Sequence, residues 1–134
     1  MIYVICGLIG AGKTTYARGN FEVYTDSDEI KSKTDQLKLT RFFHGMGKDV
    51  AHITTYPREE EMEYFKALPA GAVKYIWINT SERQCRKNIL KRGRYCNMSH
   101  LEEAFQCNSE IVKMVQKSEI PFEFIDVFPT DERW

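Results

Sequence analysis

Near the start of the chain, Gly7-Leu8-Ile9-Gly10-Ala11-Gly12-Lys13-Thr14 satisfies the spacing G-x-x-x-x-G-K-[ST] at every fixed position. Each fixed residue has a physical task. Glycines let backbone N–H groups turn inward around phosphate oxygens, a conformation that side chains would obstruct. A helix beginning near Lys13 adds the positive end of its dipole and its free amides. Lys13 is placed to reach the β- and γ-phosphates, and Thr14 to set its hydroxyl on Mg²⁺. The nucleotide contacts expected are thus Gly7, Gly10, Ala11, Gly12, Lys13, Thr14 and Thr15. The apolar run Ile2–Cys6 precedes the glycines and a helical stretch follows them, which is the context this motif requires. The chemistry implied is binding of ATP or GTP.

Two further groups of charges could act on a bound triphosphate. Asp26-Ser27-Asp28 follows a second strand candidate, Phe21 to Thr25. A carboxylate at the C-terminal edge of a strand beside the phosphate-loop strand lies in the crevice where such sheets bind ligands. There Asp28 could take a proton from an attacking hydroxyl, although Asp at that place is also an ordinary helix N-cap. Farther on, Arg83, Arg86, Lys87, Lys91, Arg92 and Arg94 crowd around a helix that Gly93 ends. Helix-dipole complementarity alone favours such charge. Alternatively, one or two of these arginines fold over the γ-phosphate, where catalysis is mostly positioning and electrostatics. The third strand offers no carboxylate for a metal, so Asp26 or Asp28 would hold Mg²⁺ through water. His52, within that strand, reads as a packed histidine.

The elements that must position these groups follow from the apolar pattern. Strands are expected at Ile2–Cys6, Phe21–Thr25, Val50–Thr54, Val73–Ile78 and Phe122–Val127. Helices are expected at Lys13–Arg18, Glu29–Phe43, from Pro57 to Leu68, from Ser81 to Lys91, and from Ser99 to Lys117. Ser81 with Gln84 and Ser99 with Glu102 form capping-box patterns that open the last two helices. Alternating strands and helices predict an α/β fold, a five-stranded parallel sheet with helices on both faces. With 134 residues, 43% of them hydrophobic, the chain reads as one domain. Nineteen basic against nineteen acidic residues give no global field for a polyanion. The four cysteines form no C-x-x-C pair and no zinc spacing, which points to reduced thiols in a cytoplasmic protein. Neither a membrane span nor a signal peptide is expected.

Four blocks, Ile5-Cys6-Gly7 through Thr15, Thr25 through Lys31, Trp77-Ile78-Asn79 through Cys85, and Lys91-Arg92-Gly93-Arg94, together resemble one family. It is the group of small P-loop kinases that includes the kinase domain of phage polynucleotide kinase and the zeta-toxin-like kinases. The resemblance implies a fold like that of nucleoside monophosphate kinases, with a short lid at about residues 83–98. It also implies transfer of the γ-phosphoryl group of ATP, with Mg²⁺, to a polynucleotide 5′-hydroxyl, a nucleotide-like compound or another small acceptor. Asp28-Glu29-Ile30-Lys31 is similar to the family's D-x-x-R pattern, with Lys31 in place of Arg. The resemblance implies that Asp28 is the general base or orienter of the acceptor hydroxyl, that Lys31 and Arg58 contact the acceptor, and that Arg92 is the catalytic lid residue. Arg86 and Arg94 would then hold the nucleotide, Arg86 standing in for an arginine the family carries where this chain has Asn88. The rival readings are an ATP-binding module with little chemistry and a simple nucleoside triphosphate hydrolase.

Overall fold

The computed structural model describes residues 1–92 and 98–128. Its strands are β1 (Ile2–Cys6), β2 (Tyr24–Asp26), β3 (Val50–Ile53), β4 (Val73–Ile78) and β5 (Glu123–Ile125). Its helices are α1 (Lys13–Asn20), α2 (Ser27–Ile30), α3 (Lys33–Gly45), α4 (Glu59–Ala67), α5 (Glu82–Arg92) and α6 (Met98–Gln116). The strands form one sheet in the order β2-β3-β1-β4-β5, every neighbouring pair parallel. This is the five-stranded parallel α/β architecture that the alternating pattern predicts.

β1 lies at the middle of the sheet, and Ile2, Val4, Ile5 and Cys6 are fully buried. A parallel central strand covered on both faces must be apolar at successive positions, as this one is. Val50 and Ala51 of β3 and Ile76 and Ile78 of β4 extend that core on either side. Burying one such Val or Ile stabilises the fold by roughly 1.5–3 kcal/mol. The core therefore clamps β1 firmly, and with it the loop that leaves its C-terminal end.

The expected helix from Glu29 to Phe43 is instead two helices. Asp26 caps the first, its Oδ1 accepting from the Asp28 N–H at 3.0 Å. Lys31 then adopts φ 64°, a left-handed turn that stops α2. Ser32 caps α3 by accepting from the Asp35 N–H at 3.1 Å. Local capping chemistry thus breaks a run whose early apolar residues are too sparse to bind it into one helix. β2 is also later than expected, because Phe21 ends α1 and packs its ring 4.8 Å from that of Tyr3. Residues Glu59–Ala67 form α4, with Pro57 just before its cap residue Arg58. Ser99 falls inside the first turn of α6, which begins at Met98.

A buried polar network fixes α3 and α4 to the sheet beside β2. Gln36 Nε2 donates to the carbonyls of Thr25 (2.9 Å) and Ile53 (2.7 Å). Thr40 Oγ1 meets His52 Nδ1 at 2.7 Å, and His52 Nε2 meets Glu61 Oε2 at 2.5 Å. His52 is wholly buried, a packed core histidine as its strand position suggests. Burial works against the charge on Glu61, but hydrogen bonds from His52 and the Arg58 N–H, with both their charges, hold its carboxyl below the usual range.

Candidate active site

The carboxyl ends of β1, β2 and β3 open onto one crevice of about 270 Å³. The β1–α1 loop and the first turn of α1 supply Ile9, Gly10, Ala11, Gly12, Lys13 and Thr14 as one wall. The β2–α2 junction supplies Asp26, Ser27 and Asp28, the residues just after β3 are Thr54 and Thr55, and the last residue of α5 is Arg92. Ligands of open parallel sheets bind at this edge, and here it gathers glycine-rich backbone, carboxylates and cations within one space.

The glycine-rich loop has the backbone that the motif requires. Gly10 and Gly12 stand at φ 86° and 95°, where a side chain is strained. A Cβ on Gly10 would also meet the Cys85 carbonyl oxygen at 2.8 Å, because α5 packs directly on the loop. The first turn of α1 offers N–H groups that no preceding carbonyl can satisfy, and it points them at the crevice edge. Lys13 Nζ donates to the carbonyls of Gly7 (2.8 Å) and Leu8 (2.9 Å). Burial pushes this ammonium down to about 8, against the opposing pull of Cys6, Cys85, Asp28 and Asp26. Polyphosphate oxygens would offer it better partners than two carbonyls.

Thr14 Oγ1 donates to Asp26 Oδ2 at 3.0 Å. Asp26 is nearly buried, so this contact sits at the base of the crevice. A hydroxyl and a carboxylate are hard oxygen ligands, and Mg²⁺ usually binds one or two protein oxygens and completes its shell with water and phosphate. The pair therefore fits that ion. No cluster of three or more His, Cys, Asp or Glu side chains that could hold a metal occurs among the described residues.

The sequence-expected residues divide clearly. Gly10, Ala11, Gly12, Lys13, Thr14, Asp28 and Arg92 all line the crevice. Gly7 lies behind it, its carbonyl bound to Lys13, and Thr15 is exposed on α1. Lys31 lines a shallow neighbouring hollow with Ser27, Asp28, Ser32 and Lys33 rather than the crevice itself. Arg58 is turned to α4, its Nε 3.6 Å from Glu61 Oε1, so the helix start draws it away from an acceptor. Arg86 is directed elsewhere as well, with Cζ 4.8 Å above the ring of Phe105 on α6. The reason is helical phase: Asn88 and Arg92 are four apart and share the loop-facing side of α5, whereas Arg86 is not in that phase. Arg94 lies outside the described residues. Lys33 lines the crevice although no pattern marked it over its lysine neighbours.

No family model and no curated protein sequence matches the chain. Solved structures do share its fold. An unliganded sugar kinase from Janibacter sp. is 12% identical, with a TM-score of 0.59 over 93% of this chain and 84% of that one. A gluconokinase from Sinorhizobium meliloti 1021 is 14% identical, with a TM-score of 0.57 over 93% and 81%. A shikimate kinase from Bacteroides thetaiotaomicron is 13% identical, with a TM-score of 0.52 over 94% and 85%. At these identities the likeness is one of architecture: the chain has the fold of the P-loop kinases.

Proposed function

We propose that this protein is an ATP-dependent phosphotransferase that moves the γ-phosphoryl group to the hydroxyl of a small or nucleotide-like acceptor. The observation that carries this reading is the single crevice that combines the Gly10–Thr14 wall, Asp28 and Arg92. The N–H groups of the loop and α1 cradle the phosphates. Lys13 leaves the Gly7 and Leu8 carbonyls for the β- and γ-phosphate oxygens, and Arg92 neutralises charge on the group in transfer. Asp28 accepts the proton of the attacking hydroxyl or orients it in line. Thr14 and Asp26 would hold Mg²⁺, which when bound neutralises phosphate charge and orients the triphosphate.

Lys33 beside Asp28 supports an acceptor that carries negative charge as well as a hydroxyl, including a nucleotide or a polynucleotide 5′ end. The resemblance to the phage polynucleotide kinase and zeta-toxin-like kinases rests on the sequence blocks quoted above and belongs to the same reading. So does a cytoplasmic location, supported by Cys6, Cys85 and Cys107 as free thiols. Among the described residues no helix is long and apolar enough to cross a membrane.

The test is a label-transfer screen with Mg²⁺ and γ-labelled ATP. Acceptors offered are 5′-hydroxyl oligonucleotides, nucleosides, nucleoside monophosphates and sugar acids, with Lys13→Ala as control. Label entering one acceptor class, and lost in the control, is the expected result. Tight ATP binding without transfer to any acceptor would leave a nucleotide-binding module instead.

A further inference from the structure

Behind the glycine-rich loop, away from the crevice, three successive carbonyls are each held by a side chain from a different element. Thr80, just past β4, donates its hydroxyl to the Ala11 carbonyl at 2.8 Å. Asn88 of α5 donates Nδ2 to the Gly10 carbonyl at 2.8 Å. Asn108 of α6 holds Ile9 at both ends, accepting from its N–H at 2.8 Å and donating to its carbonyl at 3.0 Å. Gln84 donates to Asn88 Oδ1 at 3.0 Å, which fixes the amide so that its nitrogen faces Gly10. Thr80 and Asn108 are buried, so water cannot replace them cheaply.

A peptide unit whose carbonyl is tied to the rear cannot swing that oxygen forward. Its dipole then favours a positive potential on the crevice side, where the phosphates would lie. The loop therefore holds an anion-receiving shape without an anion. Asn88 has a second effect, because it is on the same side of α5 as Arg92 and one turn from it. Pinning Gly10 to Asn88 also sets how far Arg92 stands from the loop.

We propose that Thr80, Asn88 and Asn108 are positioning residues of the phosphate site, and that their hold on Ile9, Gly10 and Ala11 sets nucleotide affinity. This rests on the nucleotide-binding part of the function proposed above. Preorganisation of this kind raises affinity by removing the cost of ordering the loop when the ligand arrives.

The experiment is equilibrium binding of MgADP, which avoids turnover, to the full chain by calorimetry, with thermal unfolding measured alongside. Thr80→Ser keeps the hydroxyl and should bind within about twofold of the wild type, whereas the isosteric Thr80→Val should bind roughly tenfold more weakly while still folded. Asn88→Ala and Asn108→Ala should show losses of similar or greater size. Should Asn108→Ala not fold, the Ser and Val variants at position 80 decide the matter alone. Folded Thr80→Val and Asn88→Ala proteins that bind MgADP as tightly as Thr80→Ser, even with lower melting temperatures, would overturn the proposal by showing a purely structural role. Wild-type protein that binds no MgADP would instead overturn the functional reading on which it rests.

Discussion

Lys13 carries the most quantitative consequence of the site. Burial brings its ammonium from an ordinary 10.5 to about 8, and a bound polyphosphate should restore it to at least the ordinary value. Nucleotide binding is then linked to proton uptake. With a free value near 8, binding should take up about 0.1 proton at pH 7, about 0.5 at pH 8 and about 0.9 at pH 9. The sign follows from the state that holds more protons. Bound protein holds the extra proton, so affinity is highest below pH 8 and falls as pH rises, by about 15-fold from pH 8 to 9.5. The full displacement of about 2.5 units corresponds to roughly 3 kcal/mol. Calorimetric titration with MgADP at pH 8.5, in buffers of small and large ionisation enthalpy, reads the proton number directly. About three-quarters of a proton is expected. Lys13→Arg, whose guanidinium does not titrate in this range, should show none of it in whatever binding remains. Binding enthalpies that agree across buffers for the wild type would refute the reasoning, because Lys13 would then be protonated throughout.

Three other outcomes follow from the same contacts. Asp28→Asn should lower the transfer rate by about 10²–10⁴-fold in steady-state assays while MgADP affinity stays near wild type, if Asp28 handles the acceptor's proton. Gly10→Ala should abolish nucleotide binding and lower the melting temperature, because φ 86° and a carbonyl oxygen 2.8 Å from the new Cβ leave it no room. Glu61 lies below its ordinary range, so its stabilisation is complete above the unfolded carboxyl's value, about 4.3, and is lost as pH falls through the folded value. Melting curves of wild type and Glu61→Gln should therefore differ most at neutral pH and begin to converge only as pH falls below about 4.

The parts of the molecule legible in the sequence are those set by local rules. The phosphate loop, the buried β1 and the order of strands and helices all follow from glycine spacing, apolar runs and alternation. Asp28 and Arg92 are also singled out in the sequence, one after the second strand and the other within the basic cluster and the resemblance, and both line the crevice. What the sequence hides are choices made by tertiary packing. Asn88 reads as a missing arginine, yet it meets the Gly10 carbonyl only because α5 lies against the loop. Asn108 is 99 residues from Ile9, and nothing local marks it as a partner. Arg58 and Arg86 look equivalent to any exposed cation until Glu61 and Phe105 are seen beside them. The N-cap weighed for Asp28 is Asp26 instead, whose second oxygen also reaches Thr14.

The central place of β1 has a consequence for how the chain is made. Its Ile2 pairs with Val50 on one side and Val73 on the other, and the loop after it waits for Thr80, Asn88 and Asn108. Contacts this distant in sequence make folding slow compared with locally wired topologies. During synthesis the glycine-rich loop leaves the ribosome long before its supports do. The loop would remain without its set shape until residue 108 has emerged, so a growing chain would hold nucleotide more weakly than the finished one. Nucleotide would favour chains that have already docked α6, a bias toward completed molecules set by the Asn108 contact with Ile9.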